Sequence, residues 1–473
     1  MFQTFVKAWK TPELRKKILF VLFILVLYRI GAVLPVPYVN AENFSTVFSG
    51  TILTYLSTLS GGALANATLF ALGISPYITA SIVMQLLCVA FPRLGELSKQ
   101  GEDGKQKINT YTRWITVVLS LVTAIGYYML LADNQMLVSI ARKDFPGSPW
   151  FLYAVVIILC FCAGSAIVMW LAERITENGL GNGISVILFF NIIQSLPSIL
   201  INMVRVSIVG FRQGMGLGFV GLGLVLLVLL TLLAMVFFIV FITGSERRIP
   251  IQYAKRVVGR KMYGGQNTNL PLQLNMSGVM PVIFASSIVT LPATIMTLCK
   301  VNAETKNFWG GLYRFLGADG WFYPIILFIL IIAFAYFYIT ISFNPVEVSN
   351  NLKRNGGMIP GIRQGRPTAE YIAKILSKIT LMGALFLSII AILPTIANPL
   401  ILKPLLNTVI SNAKPEVLTS VFGYSSAANI VASIASTFTF GGTSILIVVG
   451  IALETAREIE GQLTMRNYKG FLS

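Results

Sequence analysis

Reactive side chains are scarce in this chain, and those present are poorly spaced for chemistry. No histidine occurs among the 473 residues, which excludes imidazole general bases, histidine-based triads and histidine metal sites together. The four cysteines, Cys88, Cys160, Cys162 and Cys299, lie in or at the edge of apolar segments. Cys-x-Cys within one apolar run has neither the spacing of a metal knuckle nor that of a disulfide framework, so packing is the expected role. The stretch GEDGKQK at 101–107 holds glycine and lysine but lacks the spacing and the hydroxyl of a phosphate-binding loop. Arg29, Glu173, Arg174 and Glu454 stand towards the ends of apolar segments, where snorkelling explains them. A proton- or ion-coupled pathway needs a charge near the bilayer midplane; this chain offers none. No cofactor, metal or catalytic constellation is expected.

The chemistry left is that of exclusion. Ile78 and Ile82 are four residues apart, hence on one helical face. Leu188 and Ile192 have the same spacing, and Ile283 and Ile447 occupy matching places in repeated motifs. A ring of branched aliphatics at mid-membrane makes a narrow, water-poor constriction that gates by dewetting. Isoleucine and leucine also fill every membrane helix, so the repeat is what singles these residues out.

The elements that must position them follow from composition. The chain is 55% hydrophobic and only 11% charged, with a mean hydropathy of +0.77. A soluble domain carries about a quarter charged residues, so the expected class is an all-α polytopic membrane protein. Ten apolar segments are long enough for spanning helices: 18–37, 70–91, 114–132, 150–172, 183–201, 217–243, 275–298, 321–343, 375–397 and 431–453. The first follows Lys16 and Lys17 and runs into Pro35 and Pro37, which reads as a first span rather than a cleavable leader. The net charge is +18, and alternate connecting segments hold 26 of the 36 Lys and Arg residues. Nucleic-acid binding is one explanation of such a charge. Orientation is the simpler one, because positive loops stay inside, and it puts both termini in the cytoplasm.

An internal repeat organises the spans. GISPYITASI (73–82) and GVMPVIFASS (278–287) share Gly-x-x-Pro-x-Ile-x-Ala-Ser. A weaker echo links GISVIL (183–188) with GTSILI (442–447). Both pairs lie five spans apart. An odd offset reverses the direction of entry, so two inverted five-helix halves are expected around a central pore. Residues 1–213 form the first half and 214–473 the second. Coincidence among common membrane residues is the alternative, and the shared offset argues against it. Two basic cytoplasmic loops, 244–274 and 344–378, are punctuated by Pro, Gly and Asn, which predicts turns and a short projecting hairpin.

Six ordered stretches, LFALGISPYITASIVMQLL, ERITENGLGNGISVILFFNII, ERRIPIQYAKR, NMSGVMPVIFASSI, GIRQGRPTAEYI and FGGTSILIVV, together resemble the SecY/Sec61 alpha family of protein-translocase channels. The resemblance runs through essentially the whole chain. It implies an hourglass closed at its waist by an aliphatic ring, matched by Ile78, Ile82, Leu188, Ile192, Ile283 and Ile447. Leu188 stands where isoleucine is common. A plug is implied at about 57–70, with Leu59, Ser60, Gly61, Gly62, Ala63, Leu64 and Asn66 at its centre. A lateral gate between spans two and three and spans seven and eight is implied near Val83, Asn275, Ser287 and Leu291, where the family often has an aromatic at the Leu291 position.

The resemblance also implies that the basic loops dock the ATPase SecA and the ribosome. Arg363 matches the arginine essential to the longer loop, with Lys353, Arg354 and Arg366 near it; Arg247, Arg248, Lys255, Arg256 and Arg260 match the shorter one. Further partners implied are SecE, SecG, preproteins bearing signal sequences and membrane lipids. The implied activity is passage of unfolded polypeptides across the cytoplasmic membrane of a bacterium, with lateral release of apolar spans. An inverted-repeat secondary transporter is the alternative; the missing midplane charge and the large basic loops speak against it. A membrane enzyme lacks tools here.

Overall fold

The computed structural model describes residues 2–40, 52–138, 141, 149–253, 256–258, 261–263, 267–298, 310–312, 322–410, 415–422, 430–431, 434 and 441–469. A short amphipathic helix, α1 (Phe2–Lys10), leads into α2 (Pro12–Val33), then α3 (Ile52–Leu59), α4 (Ser75–Ala90), α5 (Pro92–Lys99), α6 (Glu102–Asp133), α7 (Trp150–Asn178), α8 (Gly183–Gln213) and α9 (Met215–Gly244). Strands β1 (Glu246–Tyr253), β2 (Arg256–Val258), β3 (Lys261–Tyr263) and β4 (Asn267–Gln273) follow. After them come α10 (Met280–Leu298), α11 (Phe322–Ser342), α12 (Pro345–Arg354), β5 (Gly357–Met358) and α13 (Arg366–Ala397). The chain continues through a π-helical turn (Asn398–Leu402) to α14 (Lys403–Ile410), α15 (Pro415–Phe422) and α16 (Gly441–Lys469).

Local chemistry sets the boundaries. Proline occupies the first turn of α2, α4, α5, α12 and α13, where its missing N–H costs nothing. Asn182 and Asn344 cap α8 and α12, each accepting from the backbone N–H two residues on at 3.1 Å. Among the described residues six helices are long and apolar enough to cross a membrane by length and composition, and two apolar helices within α4 and α10 are shorter. On α9 the exposed Leu230, Leu233, Phe237 and Phe241 recur at helical spacing, an apolar stripe suited to lipid. Thus the membrane-helical class stands, and by length and apolarity six helices qualify as spans.

The repeat has a backbone counterpart. Gly73 and Gly278 adopt φ of +57° and +63°, the left-handed region that glycine enters without strain. The next turn closes identically in both motifs. Tyr77 N and Ile78 N donate to Ile74 O, while Val282 N and Ile283 N donate to Val279 O, all at 3.0–3.2 Å. The second motif pair matches as well. A Cβ on Gly183 would stand 1.8 Å from Ala172 O of α7, and one on Gly442 would stand 2.9 Å from Ala391 O of α13. In each pair a glycine lets one helix touch the backbone of the helix before it.

The two basic loops are one structure. β1 pairs antiparallel with β4 from Glu246↔Gln273 to Gln252↔Asn267, forming the expected hairpin. β5, from the other loop, then adds to the free side of β1 through Gln252↔Met358 and Tyr253↔Gly357. Beneath this β4-β1-β5 sheet lies a separate small core: Ile249, Ile251 and Leu272 from the hairpin, Leu352 and Ile359 from the second loop, and Ile372 and Ile379 from α13. The two basic loops are therefore a single folded module rather than two independent projections.

Candidate functional site: a sealed waist, a seated segment and a basic module

Four helices deliver the aliphatic positions. α4 carries Ile78 and Ile82, α8 carries Leu188 and Ile192, α10 carries Ile283 and α16 carries Ile447. Each is at most 4% exposed, and all six belong to one contiguous apolar core. Pro76 and Gly73 fix where α4 starts, and their repeat equivalents do so for α10; each isoleucine therefore enters the core two residues beyond its proline.

Residues 57–70 lie against this core. α3 ends at Leu59, and Gly61 and Gly62 at φ of +64° and +81° turn the chain out of helical geometry. Leu59, Ser60, Ala63 and Leu64 are buried, Gly62 is half-buried, and Asn66 is exposed. Within the segment, Ser60 Oγ donates to Ser57 O at 3.0 Å and accepts from Leu64 N at 3.1 Å. Asn66 Nδ2 donates to Gly62 O at 3.1 Å. Surrounding helices also reach in. Asn191 Nδ2 donates to Leu59 O and Gln194 Nε2 to Gly61 O, at 2.8 and 3.1 Å. Tyr127 Oη of α6 donates to Leu64 O at 2.5 Å. Beyond it, Leu69 N donates to Leu34 O at 2.9 Å, so the segment is tied on several sides.

Beside the segment is an apolar cavity of about 160 Å³ between α3, α4, α6 and α10. Ser287 and Leu291 line it, with Ile78, Leu59 and Leu64. Four threonines also line it, Thr79, Thr123, Thr290 and Thr294. Each of their hydroxyls donates to a carbonyl of its own helix at 2.8–3.1 Å. These four hydroxyls are therefore engaged within their own helices rather than free to donate into the cavity. Of the other two expected gate residues, Val83 is exposed on α4. Asn275 is buried in the turn before α10, accepting from Ser277 Oγ at 3.3 Å. Neither lines the cavity: Val83 lies one helical turn beyond the lining Thr79 on α4, and Asn275 abuts α13 at Gly383.

On the basic module Arg247, Arg248, Lys353, Arg354, Arg363 and Arg366 are all exposed. Arg366 pairs with Glu370 at 3.0 Å and Arg248 approaches Glu246 at 3.9 Å. Arg363 heads a compact turn: its carbonyl accepts from Thr368 Oγ1 at 2.7 Å, and Gln364 Nε2 donates to Gly357 O at 3.1 Å. Arg256 belongs to β2, though its side chain is not among those described, and Lys255 and Arg260 lie outside the described residues.

Residues that sequence reasoning passed over join these parts. Arg457 of α16 donates to Gln273 Oε1 at 2.9 Å and to Thr243 O at 2.5 Å, tying the helix that carries Ile447 to the base of the hairpin. Arg29 does not snorkel as expected; its guanidinium turns inward and donates to Gln194 Oε1. Glu173 is bound by Arg113 at 2.8 Å. Arg174 pairs with Glu177 at 2.9 Å and lies over the Trp170 ring. Among the described residues no group of His, Cys, Asp and Glu could hold a metal ion, and Cys88, Cys160 and Cys162 are free. Cys299 lies outside them.

Comparison with known proteins agrees with this arrangement. Residues 68–456 match the model of the family described as SecY. The protein translocase subunit SecY of Streptomyces coelicolor is 42% identical over the full length of both chains, and that of Mycobacterium tuberculosis is 39% identical, again over both full lengths. The fold is similar to that in "The structure of a protein conducting channel", with a TM-score of 0.59 and 17% identity over 94% of this chain and 91% of that one. It is also similar to that in "Sec61 in the Canine ribosome-channel complex from the endoplasmic reticulum", with a TM-score of 0.55 and 17% identity over the same shares. The buried aliphatic cluster, the seated segment and the basic module thus stand in a chain that belongs to the SecY family.

Proposed function

We infer that this chain is the protein-conducting subunit of a translocase, a channel for unfolded polypeptides rather than an enzyme. One observation carries the reading. Aliphatic residues from four helices, at repeat-related positions in two parts of the chain, meet in one buried apolar core, and among the described residues no charged side chain is buried. Such a waist seals against ions while closed, and it offers a passing peptide no hydrogen-bonding group to stick to. The lack of a midplane charge disfavours a coupled secondary transporter.

The finer roles rest on the same features. Ten spans in two inverted halves, 1–213 and 214–473, are supported by the paired left-handed glycines and the paired glycine contacts. Ile78, Ile82, Leu188, Ile192, Ile283 and Ile447 form the pore ring, and residues 57–70 form the plug. The cavity bordered by Ser287 and Leu291 marks the lateral gate, where a signal sequence parts α4 and α6 from α10. The exposed arginines of the cytoplasmic module dock an energy source, the SecA ATPase or the ribosome, through charge complementarity and contacts with rRNA phosphates. SecE and SecG complete the complex, which lies in the cytoplasmic membrane of a bacterium with both termini inside. Partner binding shifts a closed/open equilibrium, the plug leaves, and apolar spans exit sideways because lipid is their better solvent.

The test is reconstitution. Liposomes containing the chain with its partner subunits, supplied with SecA and ATP, should protect a secretory preprotein from added protease. Protection equal to that of empty liposomes would overturn the channel reading.

A further inference from the structure

We propose that Asn191 and Gln194 of α8, held by Tyr28 and Arg29 of α2, are a polar latch that positions the 57–70 segment and sets how readily it leaves. The proposal rests on reading that segment as the plug. Gly61 and Gly62 break the helix after Leu59, which leaves backbone carbonyls to be satisfied. Among the described residues no backbone N–H reaches Leu59 O or Gly61 O outside regular helix bonding. Their partners are the two α8 amides, at 2.8 and 3.1 Å. A buried carbonyl without a partner is unfavourable, so these two bonds favour the seated conformation.

The amides are themselves aimed. A guanidinium only donates, so Arg29 requires the oxygen of Gln194 to face it. That turns the Gln194 NH₂ towards Gly61 O. Asn191, fully buried, uses its NH₂ for both Leu59 O and Tyr28 Oη, each at 2.8 Å. Its Oδ1 is buried without a hydrogen-bond partner and faces Gly61, where an added Cβ would lie 2.9 Å away. Glycine at 61 therefore meets two demands, a left-handed φ and a close approach to the latch. Leu188, Asn191 and Gln194 are spaced three apart, so seal and latch share one face of α8. A change that moves α8 acts on both.

The latch is suited to release. Once the segment moves to water its carbonyls regain solvent partners, while Asn191 keeps Tyr28 and Gln194 keeps Arg29. Hydrogen exchange on the complex in lipid nanodiscs tests this, using the near-isosteric Asn191→Leu and Gln194→Met and, from the other side, Gly61→Ala. Each should speed amide exchange in 60–69 by about fivefold to tenfold, the factor for one lost net hydrogen bond, with α4 and α10 unchanged. Exchange at wild-type rates in Asn191→Leu and Gln194→Met would overturn the latch. If Asn191→Leu loosened the whole chain, Gln194→Met, which is only part-buried, would decide the matter by the same criterion. A wild-type control engaged with a translocating chain separates the two readings. Faster exchange in 60–69 there with unaltered variants refutes the latch alone, whereas no change on engagement refutes the plug.

Discussion

Ile251→Ala tests whether the two basic loops are one folding unit. Ile251 is 3% exposed and packs in the small core that joins β1 and β4 to Leu352, Ile359 and the start of α13. Truncating a buried isoleucine to alanine costs about 2–5 kcal/mol, and to valine about 0.5–1.5 kcal/mol. A core of seven buried residues has little stability in reserve, and the hold of β5 on β1 is only two residue pairs. The cost should therefore appear as local opening of the module rather than unfolding of the membrane helices. Since 1.4 kcal/mol is tenfold in a population, opening should rise about 30-fold or more in Ile251→Ala and about twofold to tenfold in Ile251→Val. Limited trypsin digestion reads this at Lys353, Arg354 and Arg363, which are distant in sequence from the substitution. Cleavage rates follow the open population when reclosing is fast. If cleavage in the 344–378 loop stayed at the wild-type rate while cleavage in 244–274 accelerated, the loops would be independent and the shared-core argument would fail.

Three further outcomes are expected. Gly183→Ala places a methyl where 1.8 Å separates it from Ala172 O; α7 and α8 must part, and the purified complex should melt several degrees lower, a loss of about 1–3 kcal/mol, while alanine at the uncrowded Gly223 of α9 leaves the melting point unchanged. Ile283→Asn puts an amide in the waist and should raise the ion conductance of the idle channel in planar bilayers, with Ile283→Leu silent; equal conductance in both would count against the dewetted seal. Arg363→Glu should cut SecA-driven translocation at least tenfold while membrane insertion of the protein itself is unimpaired, because the side chain is exposed and makes no ion pair among the described residues; normal export would remove Arg363 from the docking surface.

The membrane-helical class, and the shared burial of the six aliphatic positions, were legible in the sequence because they rest on periodicity and on repetition. Gly-x-x-Pro was legible as a repeated motif, whereas the left-handed conformation shared by Gly73 and Gly278 comes from the structure. The joining of the two loops was not legible. β5 is two residues long, Gly357 and Met358, too short to carry an alternating pattern, and its partner is defined only by the tertiary core. Arg29 was misread because snorkelling is the cheaper expectation for a single charge near a span end; the structure instead supplies an amide acceptor inside. Asn191 and Gln194 did carry a signal, two amides on one face of an otherwise apolar span, where a polar group demands a partner. Nothing in the sequence named that partner, since it is backbone belonging to another segment.

The division of labour between ring and latch follows from the physics of each contact. Apolar packing is non-directional, so the ring can lose its mutual contacts, close around a peptide of any sequence, and re-form when the peptide has gone. It is correspondingly poor at holding a chain in one pose. Hydrogen bonds to Leu59 O, Gly61 O and Leu64 O are directional and weaken steeply with misalignment, so a small displacement of α8 loosens the first two and one of α6 loosens the third. A seal made from such bonds would trap every passing backbone, which carries the same carbonyls. A stopper held only by apolar contacts would slide without a threshold. In the proposed channel, aliphatics at the waist and amides interleaved with them on α8 divide these two tasks.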